Sequence, residues 1–140
     1  MTDKNLCAME SEARGILILL GYDGVWDYAK RAGINHGTAG ELLGTVRLKN
    51  RKKHNLVVKA HEALHSAYMD GRAEMSKAKR AYIRDWVKRW RKWVIAEALW
   101  LTSAGKVVDD KSLSEERRRL RKQQEVRAGV ELAMAALKWE

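Results

Sequence analysis

Apolar residues recur at helical spacing along most of the chain. Leu6, Met9, Ala13, Ile16, Leu17 and Leu20 fall on one stripe, which predicts a helix from Asp3 toward Leu20 that Gly21 ends. The apolar run at 16–20, bounded by Gly15 and Gly21, also fits a short buried strand; the longer stripe favours helix. Asp23 is a natural cap for a short helix carrying Val25, Trp26, Tyr28, Ala29 and Ala32, with Gly33 at the following turn. Asn35 can cap a second short helix through Thr38, Leu42 and Leu43, stopped by Gly44.

Beyond a polar stretch at 47–55, Asn55 is placed to cap a helix over about 56–70, closed by Gly71. A long helix then fits 73–102. Its stripe is Tyr82, Ile83, Trp86, Val87, Trp90, Trp93, Val94, Ala98 and Leu101, with Lys79, Arg80, Arg84, Lys88, Arg91 and Lys92 largely off it. After a short linker at 106–111, Ser112 and Glu115 form a capping box for a last helix to about residue 138. That helix is heavily charged over 115–125 and then apolar at Val126, Val130, Ala133 and Leu137. The pattern predicts an all-α fold. It would be a compact bundle of five to six helices with two long C-terminal ones, forming a single domain over 1–140.

Composition agrees. The chain has no proline, which suits uninterrupted helices, and 46% apolar residues, enough for a core. The single cysteine, Cys7, permits no internal disulfide, and no apolar run reaches membrane-span or signal-core length. The expectation is a cytoplasmic protein without a membrane role.

Charge changes the picture more. The net charge is +10, and it is unevenly spread: −2 over residues 1–46, +10 over 47–101 and +2 over 102–140. A central basic field points to a polyanion, above all nucleic acid, and excludes an acidic DNA mimic. Its densest parts are Arg47, Lys49, Arg51, Lys52 and Lys53, then Arg84, Lys88, Arg89, Arg91 and Lys92 on the long helix. In that helix tryptophans alternate with cations. Exposed rings would stack on bases; rings on one face would fill the core and leave a basic ridge, and the helical spacing of Trp86, Trp90 and Trp93 favours the core. A basic amphipathic helix also suits a membrane surface or a partner's groove.

Residues 25–43, VWDYAKRAGINHGTAGELL, resemble the helix-turn-helix of small bacterial and phage DNA-binding regulators. Ala29 falls at the close approach of the two helices, Gly33 at the turn, and Ile34, Ala39 and Leu42 at the locking positions. The resemblance implies duplex DNA as partner, transcription regulation as role, and a second helix in the major groove presenting Asn35, His36, Thr38 and Glu41. Through 31–33, Ala39, 42–43 and 48–50 the chain is also similar to phage small terminase subunits. Gly37 and Gly40 lie inside the proposed reading helix, that helix has no Lys or Arg, and the segment is net acidic. The same residues also make a plain helical hairpin or, less well, a glycine-rich phosphate loop, which lacks the closing Gly-Lys-Ser/Thr.

Residues 61–65, HEALH, resemble the HExxH of zinc peptidases. There His61 and His65 would share zinc, Glu62 would act as general base, and Glu74 or Asp85 would be the third ligand. Lys59 departs from that family's preference just upstream, no sheet edge is predicted to hold a substrate, and the alternative is an amphipathic helix whose histidines flank Val57, Ala60, Leu64 and Ala67. The favoured expectation is therefore a non-catalytic, cofactor-free protein binding nucleic acid, most naturally double-stranded DNA. The second is a protein-interaction module docking on a host protein, or forming a homodimer, through 117–137.

Overall fold

The structure is a computed structural model that describes residues 3–46, 48, 53–99 and 110–140; side chains at 3–10, 98–99 and 110–113 lie outside the description. Among the described residues there are six α-helices and no strand: α1 (Asp3–Leu19), α2 (Val25–Ala32), α3 (His36–Leu43), α4 (His54–Gly71), α5 (Lys77–Val94) and α6 (Asp110–Ala135). A 3₁₀ turn at Arg72–Glu74 precedes α5, and α5 runs on into a π-helical turn at Ile95–Leu99. The run at 16–20 is helical, so the stripe outweighs the short apolar block.

Several ends differ from expectation. Asp23 does not cap α2. Gly24 holds that position without a side-chain bond, while the Asp23 N–H donates to Asp27 Oδ2 at 3.0 Å. Asn55 lies inside α4, which starts two residues early, after Lys53. The long helix begins at Lys77, where the Ser76 side chain accepts from the Lys79 N–H, and it changes to π geometry before 102. α6 starts at Asp110, so Ser112 falls within it; the Ser112 side chain lies outside the description.

The core gathers one face of every helix. Ala13, Ile16 and Leu17 of α1 meet Tyr28 and Ala29 of α2 and Ala39, Leu42 and Leu43 of α3; Val57, Ala60, Leu64 and Tyr68 of α4 and Ile83, Trp86, Val87, Trp90 and Val94 of α5 complete it. Leu6 and Met9 of the α1 stripe fall outside the described side chains. Two tyrosines fasten this part of the chain to α4: the buried Tyr28 hydroxyl of α2 donates to the Ala60 carbonyl, and Tyr22, in the turn before α2, donates to the Ala63 carbonyl at 3.2 Å. Their rings meet edge to face at 5.2 Å. Trp90 Nε1 donates to the Leu42 carbonyl at 2.7 Å, which ties α5 to α3 and satisfies a buried polar group at the same time.

α6 packs mainly on α4. Its buried positions are Gln123, Val130 and Met134, with Val126 and Leu137 half-buried; Ala133, expected on this face, is exposed and Met134 takes its place. One residue of slip follows from helical spacing, since 123, 130 and 134 are separated by seven and four.

Candidate nucleic-acid interface

α5 has two distinct surfaces. At 3.6 residues per turn, Ile83, Trp86, Val87, Trp90 and Val94 occupy one arc, and all are buried. Trp86 and Trp90 lie nearly parallel, centroids 6.0 Å apart, and are wholly enclosed. They are core rings and cannot stack on a base. Trp93 is half-buried, and Tyr82, expected in the core stripe, is 45% exposed.

Lys77, Arg80, Arg84, Lys88, Arg91 and Lys92 fall on a second arc of roughly a third of the circumference, spanning about 22 Å of helix. All six are exposed or half-exposed. Arg89, which sequence groups with them, lies elsewhere. Its guanidinium donates to both oxygens of Glu12 on α1, at 3.1 and 2.7 Å, and to Asp85 at 3.3 Å. This bidentate pair holds the Glu12 carboxyl below its ordinary range and raises Arg89. Arg89 is thus spent on joining α5 to α1.

Ile95 is one turn past Arg91, where the cationic arc would continue, yet it is buried. α6 crosses the arc there and meets the π turn. The crossing leaves a groove of about 420 Å³ lined by Lys88, Arg91, Lys92 and Ile95 from one side and Arg127, Glu131 and Ala135 from the other. Arg127 Nε donates to Glu131 at 3.1 Å. Burial lowers the pKa of Arg91, and the nearby Glu131 carboxylate opposes the shift. Four cations and one carboxylate therefore share a concave surface at the end of the ridge. Sequence gave no hint of Arg127 and Glu131 as part of it, because the crossing of α6 is a tertiary event.

Of the basic stretch, Arg47, Lys49, Arg51 and Lys52 lie outside the described residues; Lys53 is exposed at the start of α4. α2 and α3 form the expected pair. Gly33 adopts φ 71°, and the Ile34 N–H reaches back to the Ala29 carbonyl at 2.9 Å, a turn that a side chain at 33 would strain. Lys59 Nζ donates to the Gly33 carbonyl at 3.1 Å. Asn35 Oδ1 accepts from the Gly37 N–H at 2.9 Å, so half of its amide serves as the cap of α3. His36 is exposed but stacked on Trp26, centroids 3.7 Å apart; Thr38 is half-exposed. Trp26, expected in the α2 core face, is instead 71% exposed. With Ile18 and Val46 it borders a second groove, about 560 Å³, floored by Gly37 and Gly40 of α3. Gly40 belongs there sterically: a Cβ would lie 3.1 Å from both Thr45 Oγ1 and Val46 Cγ2.

The two histidines of HEALH do not merely flank the core. His61 is fully buried, and its Nε2 accepts from Trp139 Nε1 at 3.1 Å. Burial, with Arg91 and His65 adding to it, pushes its pKa down to about 3. His65 Nε2 lies 2.8 Å from the Lys138 carbonyl, and Tyr68 and Arg72 donate to the Glu140 carbonyl at 2.9 and 3.3 Å. One face of α4 thus clasps residues 138–140, with the Trp139 ring among His61, His65 and Tyr68. Both Nε2 atoms that would hold zinc are engaged by this segment, Glu62 is exposed, and Asp85 is paired with Arg89. The sequence signal for the clasp was Trp139 itself, an isolated aromatic beyond the last helix.

No helix among the described residues is long and apolar enough to cross a membrane. No protein-family model, curated protein or solved structure matches this chain.

Proposed function

We propose that the protein binds the phosphate backbone of double-stranded nucleic acid, most naturally DNA, through the α5 ridge and the α5–α6 groove, and that it acts by binding rather than by catalysis. The observation that carries this reading is the sorting of α5: six cations on one open arc, with Trp86 and Trp90 sealed in the core on another. An arc of cations that carries no aromatic ring of its own suits phosphate contacts better than base stacking, and so favours a duplex over a single strand. Arg127 adds a seventh cation from α6. A base-reading role for Asn35, His36, Thr38 and Glu41 draws on the resemblance of 25–43 to regulator helix-turn-helices, and a regulatory role draws on the same source.

The test is fluorescence anisotropy with a labelled 20-base-pair duplex over a salt series. About six phosphate contacts give a slope of log K against log salt near −5, and a loss of roughly 10³ in affinity between 50 and 200 mM. No binding at 50 mM, or a slope near zero, overturns the proposal. A second reading has its own observation. Ile18, Trp26 and Val46 expose apolar surface around one groove, as a protein-docking site does. It expects Trp26→Ala to abolish a protein complex that survives neutralisation of Arg84 and Lys88.

A further inference from the structure

The groove between α5 and α6 contains its own anion. Glu131 sits among Lys88, Arg91, Lys92 and Arg127, bonded to Arg127 and acting on Arg91. For a site that grips phosphate this is a cost, since the carboxylate repels whatever enters. The cost is unequal across ligands. A phosphodiester brings one negative charge to the groove, whereas pyrophosphate or the end of a nucleoside triphosphate brings about three. Coulombic repulsion scales with that charge. A long polyanion also reaches Arg84, Arg80 and Lys77 along the ridge, none of which lines the groove.

We propose that Glu131 is a specificity-determining residue that narrows the groove's preference for compact, highly charged phosphates over the singly charged phosphodiesters of a nucleic-acid chain. This rests on the nucleic-acid reading for the ligand it favours, but its weakening of small-phosphate binding is testable alone. Without such a carboxylate, four cations in one concavity form a trap for free nucleotides. With it, the net charge of the groove falls from four to three, and Arg127 is held in place by a partner it exchanges for a phosphate.

The experiment compares wild type with Glu131→Gln, binding inorganic pyrophosphate by calorimetry and the 20-base-pair duplex by anisotropy, both at low salt. Glu131 is exposed and the amide is isosteric, so the fold is retained; equal melting temperatures check this. Each unit of ligand charge close to the carboxylate is worth about threefold at low salt. The expected gain on substitution is therefore about threefold for the duplex and upward of tenfold for pyrophosphate. The same gain for both ligands, or none for pyrophosphate, overturns the proposal. Arg127→Gln/Glu131→Gln, measured against Arg127→Gln, keeps the pyrophosphate gain if Glu131 repels the ligand directly; loss of that gain overturns direct repulsion. If the wild type fails to bind duplex, the nucleic-acid reading falls, and the pyrophosphate comparison still decides the role of Glu131.

Discussion

Arg89 and Arg91 are two residues apart on one helix, and the structure gives them opposite jobs. Replacing each by glutamine separates stability from binding. Arg89 makes two charge-assisted bonds to Glu12 and one to Asp85, but the pair is partly solvated, so the value is that of a good surface ion pair: about 0.5–1 kcal/mol. Arg89→Gln should lower stability by that amount in urea unfolding and leave duplex affinity within about twofold. The effect has a pH signature. Glu12 titrates below its ordinary 4.5 in the folded state, so its contribution is present above that value and is lost as pH falls through the lowered folded pKa. The stability gap between wild type and Arg89→Gln therefore persists at pH 6 and closes in strong acid.

Arg91→Gln removes one phosphate contact. A contact contributes a factor of salt concentration to the power −0.9, which at 100 mM is about eightfold. Binding should weaken by that factor, and the salt slope should drop by about 0.9, with little change in stability because Arg91 lies in the groove rather than in an interhelical pair. If Arg89→Gln weakens duplex binding as much as Arg91→Gln does, the division of α5 into a tethering side and a gripping side is wrong.

Trp139→Ala removes a half-buried indole, its bond to His61 and its ring contacts, and should cost about 2–3 kcal/mol in denaturant unfolding, somewhat less than truncation of a fully enclosed tryptophan; a change below about 0.5 kcal/mol would show that the clasp is not formed in solution. His61 stays neutral in the folded state down to about pH 3 but takes up a proton near 6.5 once unfolded. Unfolding therefore gains a proton between those values, and this one group lowers stability by about 1.6 kcal/mol between pH 6.5 and pH 5. His61→Met should flatten the pH dependence of the urea midpoint by that amount, and an unchanged dependence would refute the assignment.

What could be read from the chain was what depends on near neighbours. The α5 core arc, the turn at Gly33 and the cap at Asn35 rest on residues within a few positions of one another, and spacing reveals them. What could not be read depends on distant ones. Arg89 looks like any other cation of the basic helix until Glu12, 77 positions away, is brought beside it. The histidines of HEALH look like metal ligands or helix-flank residues until residues 138–140 return to α4. Trp26 is apolar enough to bury, but α2 is short and already spends Tyr28, Ala29 and Ala32 on the core, which leaves Trp26 stacked on the exposed His36 instead. At Gly24 and Lys53 a helix starts with no side-chain cap bond, so the nearby Asp23 and Asn55 do not mark the ends that their residue types suggest.

The clasp at the end of α6 has a kinetic consequence. Its contacts join residues separated by 68 to 78 positions, among the largest separations that the described hydrogen bonds bridge, so they are assembled late and, being few, are released early. α6 is held to α4 by Val130, Met134 and this clasp, and it carries Arg127 and Glu131. A brief undocking of the C-terminal third would leave the α5 ridge standing while the groove loses one wall together with its internal carboxylate. In hydrogen exchange, amides over 123–135 should then open as one unit at lower free energy than those of α5. Bound duplex should slow that opening in proportion to how much of its grip comes from the far wall.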